Sequence, residues 1–207
     1  MTTSPPAVAS LSQRINLLLR RVPSWPLYPL GLLPGALLFY RAVTGGLGPD
    51  PVKPLEHGLG LYALQFLIAA LCVTPLLRLS RVSLLRYRRA FGLLGFGYAL
   101  LHLMAWLLLD IQLRWMEILK DLTSRPYIIF GTLALCLLLP LAWTSRASSL
   151  RRMGAQAWRR LHLLAYPATL LAALHFALVQ KTWQLEPLLY LGATLALLSA
   201  RLTRGPL

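Results

Sequence analysis

The chain has 207 residues, 57% of them hydrophobic and only 13% charged, with a formal net charge of +15. A soluble domain carries about 25% charged residues. This deficit, with a mean hydropathy of +0.61, excludes an ordinary soluble domain and points to one compact bundle in a membrane. The positive charge could suggest nucleic acid, but its distribution argues against that and makes it an orientation signal instead.

Residues 1–13 are polar, small and proline-containing, and read as disordered. We expect a disordered cytoplasmic N-terminus over 1–21, a transmembrane domain over 22–202 and a cytoplasmic tail over 203–207. Ionisable residues then cut the chain into apolar windows. Arg21 and Arg41 bracket 19 uncharged residues; His57–Arg78, Arg89–Asp110, Arg125–Arg146 and Arg160–Lys181 each bracket 20; Glu186–Arg201 brackets 14. Crossing the hydrocarbon core takes about 20 apolar residues. Five windows fit, and the sixth spans if Arg201 snorkels or Glu186 sits in the interface. The predicted fold is all-α, an integral membrane bundle of six transmembrane helices.

The first window carries Pro23, Pro26, Pro29 and Pro34, which predicts kinks or a late start. The Arg20-Arg21 pair ahead of it resembles a twin-arginine signal only superficially. No strong small-residue cleavage pattern follows, so the window is expected to stay as the first span. The loop TGGLGPDPVKPLEHG is turn chemistry and ends at His57. Two readings of His57 stand: an interfacial histidine, or a contact to a cofactor. Cys72 and Cys136 sit in apolar windows without metal-type spacing and read as inert core residues. There is no CxxCH, so a haem would be held non-covalently.

Loop charge sets the orientation. The N-terminus, second loop, fourth loop and tail hold 15 basic residues and no acid, whereas the other three loops hold six basic residues and all six acids. The positive-inside rule places the first set, and with it both termini, in the cytoplasm.

Three histidines lie within the windows. An ionisable residue in a membrane span is a functional hypothesis by default, and imidazole is an axial ligand of haem iron. In the third window Gly92, Gly95, Ala99 and His102 share one helical stripe, and in the fifth Ala165, Ala168, Ala172 and His175 do the same. Such a stripe makes either a tight helix crossing or room for a flat macrocycle beneath its ligand. Both helices run outward, and His102 lies about 12 Å and His175 about 9 Å below their outer ends. The two can meet at one level. His162 lies about 19.5 Å further in and points roughly 140° away on an ideal helix, unless Pro167 bends it. It belongs to a separate inner site or is a satisfied interfacial histidine. The 110–126 loop, DIQLRWMEILKDLTSRP, carries mixed charge and Trp115, and reads equally as a docking surface or an amphipathic interfacial segment.

Several stretches together resemble the MsrQ (YedZ) haem-binding membrane subunits, within the ferric reductase-like transmembrane domains. They are TGGLGPDPVKPLEHGLGLYAL, CVTPL at 72–76, RRAFGLLGFGYALLHL at 88–103, TSRPYIIFGTLA at 123–134 and WRRLHLLAYPATLLAALHF at 158–176. The resemblance covers the chain after about residue 25. It implies haem b, and FMN has been associated with the family. It also implies electrons from the quinone pool, and transfer across the bacterial inner membrane to a periplasmic molybdenum-cofactor reductase. That partner reduces methionine sulfoxide in proteins. His102 and His175 match the family's histidines on the third and fifth helices, and His162 its inner histidine. Two-haem relatives carry a second third-helix histidine where this chain has Arg88 and Arg89. The expectation is therefore one outer haem between His102 and His175, with Arg88, Arg89 and His162 near an inner flavin or quinone site. The alternatives are a stand-alone ferric reductase, or a cofactor-free transporter or assembly factor. The absence of acidic residues inside the windows counts against the last.

Overall fold

A computed structural model of the chain describes residues 11–179 and 184–202. The expected disorder of residues 1–10, the loop residue Lys181 and the 203–207 tail lie outside the described residues. Ten α-helices and no strand occur among those described: α1 (Leu11–Arg21), α2 (Leu27–Val43), α3 (Val52–Ser80), α4 (Arg88–Met104), α5 (Trp115–Ser124), α6 (Pro126–Trp143), α7 (Ala147–Met153), α8 (Ala155–His162), α9 (Ala165–Val179) and α10 (Leu185–Leu202). Four helical stretches, Val52–Ser80, Leu85–Asp110, Pro126–Trp143 and Ala155–Val179, are long and apolar enough to cross a membrane, and α2 is a shorter apolar helix. Leucines such as Leu30, Leu37, Leu133 and Leu189 are exposed on the outside of the bundle. That suits a lipid-facing surface and would be costly in water. The chain is a multi-pass membrane protein.

Residues 11–21 are helical, which corrects the expectation of disorder up to residue 21. The cause is tertiary. The Asn16 amide donates to the Arg81 carbonyl at 2.8 Å and accepts from the Ser83 N–H at 2.8 Å. The Tyr87 hydroxyl lies 2.9 Å from the carbonyls of both Leu19 and Val22. These bonds tie α1 to the connector between α3 and α4.

The late start expected of the first span is seen: α2 begins at Leu27, after Pro23 and Pro26. Its contact with α4 is unusual. The Tyr98 hydroxyl donates to the Gly31 carbonyl at 2.7 Å and accepts from the Gly35 N–H at 2.9 Å. These two groups are the i and i+4 partners of an α-helical bond, so the phenol is inserted into the α2 ladder. A Cβ at Gly35 would lie 2.7 Å from the Tyr98 ring, so glycine is what admits it. Tyr98 is fully buried, in one core cluster with Leu55, Leu59, Ala63 and Ala105.

A second core cluster joins Leu67 of α3, Leu138 and Leu141 of α6 and Ala168 of α9. The helices alternate in direction. One end of the bundle gathers the starts of α3, α6 and α10 with the ends of α4 and α9. The opposite end gathers the ends of α3, α6 and α10 with the starts of α4 and α9, and receives the arginine-rich loops. Cys136 is exposed, not a core residue as expected, while Cys72 is partly buried. An apolar window does not make every side chain a core residue, because the bundle also encloses a cavity, and Cys136 lines it.

The expected fifth span also differs. Its helix does not run unbroken through His162: α8 ends there, a turn follows, and α9 starts at Ala165. Pro167 is the third residue of α9, in the first turn, where a missing N–H costs nothing. Placed further along a continuous helix it would remove a bond and clash.

Candidate haem site

His102 and His175 meet. Their ring centroids are 6.0 Å apart, with planes 72° from parallel. The Nδ1 of His102 is 2.8 Å from the Glu56 carbonyl, and the Nδ1 of His175 is 2.6 Å from the Tyr127 carbonyl. A carbonyl only accepts, so each Nδ1 carries the proton and each Nε2 keeps its lone pair. Fixing the tautomer through the second nitrogen is how proteins prepare a histidine for metal.

Both rings are seated in the same way. His102 bonds the carbonyl of Glu56 and rests on Gly60, four residues on; His175 bonds the carbonyl of Tyr127 and rests on Gly131, also four residues on. A Cβ at Gly60 would lie 3.0 Å from His102 Nδ1, and one at Gly131 would lie 2.9 Å from His175 Nδ1. Sequence reasoning missed both glycines. Their signal is the spacing of a glycine four residues after the accepting carbonyl, which identifies nothing until the partner helix is placed.

The two rings open onto a cavity of about 280 Å³ that runs inward from the histidine end. Of the two small-residue stripes, Ala99 and Ala172 line this cavity. Gly95 instead faces Leu67 and the Ala63 carbonyl, and Ala168 is buried in the second core cluster. Each stripe therefore packs tightly at one level and makes room at the next, so both readings of it hold at different depths. Gly92 faces open space. At the mouth, Lys53 pairs with Asp110 at 2.6 Å and with the buried Glu56 at 3.5 Å. His57 and Arg125 also line the mouth, which places His57 on the cavity wall. The wall residue Trp106 sits in a π-helical turn, Ala105–Asp110. Such turns concentrate at functional sites.

The donor set fits a haem. Two nitrogens at about 2 Å from a shared metal set imidazole centres roughly 6 Å apart, as observed. Among the described residues no group of three or more His, Cys, Asp or Glu could hold a bare ion. Two imidazoles alone suit a metal whose other ligands come with it in a plane.

The remaining candidates lie elsewhere. His162 stacks on Trp158 with centroids 3.8 Å apart, its Nδ1 3.1 Å from the Trp158 carbonyl. It does not line the cavity. Arg88 is partly buried and turned toward Tyr166, while Arg89 is exposed. On α5, Trp115 and Met116 are exposed and Ile118 is buried, as an amphipathic segment requires.

Residues 58–173 match the family described as ferric reductase like transmembrane component. The chain is also 47% identical over 180 residues to proteins of Brucella ovis, Brucella anthropi and Brucella canis, each named protein-methionine-sulfoxide reductase heme-binding subunit MsrQ. The match covers 87% of this chain and 81% of each of theirs. This chain belongs to the MsrQ family. The matched region of the ferric reductase like component runs from α3 to α9 and so contains His102, Gly60 and Gly131. It ends two residues before His175. No solved structure matches the chain.

Proposed function

We propose that this chain is the haem-containing electron-transfer subunit of a protein-methionine-sulfoxide reductase system. In this reading six helices span the bacterial inner membrane with both termini in the cytoplasm, α2 and α10 completing the four longer spans. A single b-type haem supplies a one-electron couple when bound. His102 and His175 would hold it, Gly60 and Gly131 seat the two rings, and the apolar wall excludes water. Two histidine ligands would suit the group to electron transfer and not to oxygen binding. Electrons come from the quinone pool or a cytoplasmic flavin such as FMN, reach the arginine-rich end near His162, and leave at the histidine end to a periplasmic molybdoenzyme that reduces methionine sulfoxide. The names of the relatives support the haem and the system it serves.

The observation that carries the reading is the convergence of two tautomer-fixed imidazoles at 6.0 Å. The test is the visible spectrum of the purified protein, oxidised and reduced, beside His102→Ala and His175→Ala. A low-spin b-type spectrum lost or converted in either variant supports it. Wild-type protein that carries no haem, even from haem-supplied cells, overturns it and returns the histidines to packing roles.

A further inference from the structure

Building on the haem reading above, we infer that Asp121, Arg125 and Tyr127 form a brace that sets the orientation of the His175 imidazole and, through it, the potential of the bound haem. Pro126 opens α6 and disfavours helical geometry in the residue before it. The helices α5 and α6 are therefore joined by Arg125 alone, at φ −116° and ψ 101°. Its guanidinium bridges that joint. Nε lies 3.0 Å from the Asp121 carboxylate on α5, and Nη1 donates to the Tyr127 hydroxyl on α6 at 3.0 Å. The Arg125 N–H also donates to the Asp121 carbonyl at 3.1 Å. Tyr127 in turn holds His175 twice. Its carbonyl lies 2.6 Å from Nδ1, and its ring centroid lies 6.1 Å from that of the imidazole.

Tyr127 sits where a helix is least fixed. It is the second residue of α6, and the first turn of a helix lacks intrahelical partners for its N–H groups. The Asp121 side chain is the anchor, only 13% exposed, and Arg125 is the arm, 53% exposed. A half-exposed ion pair adds little to stability. Its effect here is directional, because two donors of one rigid planar fork fix the first turn of α6 against α5. That direction reaches the iron ligand. A bond from Nδ1–H to a carbonyl fixes the ring plane and makes the imidazole a stronger donor, which favours ferric over ferrous iron. At the other imidazole the arrangement is looser: His102 bonds the Glu56 carbonyl, but Lys53 is 3.5 Å from the Glu56 carboxylate and 2.6 Å from Asp110. A direct contact between Arg125 and the haem is the competing account, since Arg125 lines the mouth of the cavity. Asp121 does not line it, so the two accounts part at Asp121. Sequence reasoning used Arg125 only as the edge of an apolar window.

The test uses the full chain purified in detergent with its haem. Asp121→Asn, Arg125→Gln, Arg125→Lys and Tyr127→Phe are compared with wild type, and with Arg114→Gln as a control on the exposed ion pair of α5. The midpoint potential and the low-spin electron paramagnetic resonance signal of the ferric protein are read. Asp121→Asn, Arg125→Gln and Tyr127→Phe should each raise the potential and broaden the signal. The expected size is a roughly threefold loss of ferric over ferrous preference, about 30 mV for a one-electron couple. Arg125→Lys should restore neither, because one ammonium does not serve both sides of the joint. Arg114→Gln should leave both unchanged. If Asp121→Asn does not fold, Tyr127→Phe and Arg125→Lys decide. A change in Arg125→Gln that Asp121→Asn lacks, or that Arg125→Lys repairs, overturns the brace and assigns the effect to charge at the cavity mouth. Wild-type values in every variant overturn it as well. If wild type carries no haem, the haem reading itself fails. The brace is then judged by the ring nitrogen resonances of haem-free protein with labelled histidine, assigned with His175→Ala. Loss of the Nδ1–H form of His175 in Asp121→Asn and Arg125→Gln, but not in Arg114→Gln, supports it, and an unchanged tautomer overturns it.

Discussion

Gly131 and His175 are in contact so close that no side chain fits between them: a Cβ at Gly131 would lie 2.9 Å from Nδ1 and 3.0 Å from Cε1 of the imidazole. The flanking atoms are a ring held by its hydrogen bond to the Tyr127 carbonyl, not the free end of a flexible chain. Over-packing a fitted site costs about 1–3 kcal/mol. Gly131→Ala should therefore push His175 off its carbonyl and reduce bound haem by roughly tenfold. Gly60→Ala should do the same to His102. Gly92→Ala, which meets nothing within 4 Å, should leave the spectrum unchanged. The reduced haem absorbance per protein measures all three.

Tyr98→Phe isolates the phenol inserted into α2. The ring and its packing stay, while the bonds to Gly31 and Gly35 go. A net hydrogen bond contributes about 1 kcal/mol, so losing both should lower thermal stability in detergent by about 2 kcal/mol. Haem content should be unaffected, because Tyr98 does not line the cavity. A loss of haem equal to that of His102→Ala would show that α2 positions the site.

His162→Ala separates the histidine beside Trp158 from the His102–His175 pair. Its ring is spent on Trp158, by stacking and by one backbone bond. The low-spin spectrum should survive the substitution intact. In the electron-relay reading, reduction by a quinol or flavin donor should slow while reduction by dithionite does not. Loss of the low-spin spectrum would place His162, not His175, on the iron.

Two ion pairs at the histidine end should differ in worth. Lys53 faces the buried Glu56, whereas Arg114 and Glu117 are about half exposed. Removing one partner of a buried charge leaves the other uncompensated, but an exposed pair contributes about 0–1 kcal/mol. Lys53→Met should lower thermal stability by about 1–2 kcal/mol, after allowing for the half-exposed Lys53 side chain. Arg114→Met should lower it by less than about 0.5 kcal/mol. Equal effects would mean that Glu56 finds its compensation elsewhere.

The membrane class, the long apolar helices and the pairing of His102 with His175 were legible in the sequence. Each rests on a one-dimensional quantity. Charge spacing marks where apolar helices end, and a rise of about 1.5 Å per residue puts two histidines on helices of the same direction at one level. Helical periodicity also says which residues share a stripe, but not what the stripe faces. That is decided by how each helix rotates and crosses its neighbours, so only the tertiary structure could divide Gly95 from Ala99, or seat the imidazoles on Gly60 and Gly131. The same holds for α1, whose polar run is ordered by bonds to Arg81, Ser83 and Tyr87. It holds for Arg201, a charge that looked like a liability at the end of a short window and instead closes on Tyr166. Local chemistry determined the helices and their depth; packing between distant segments determined which atoms meet.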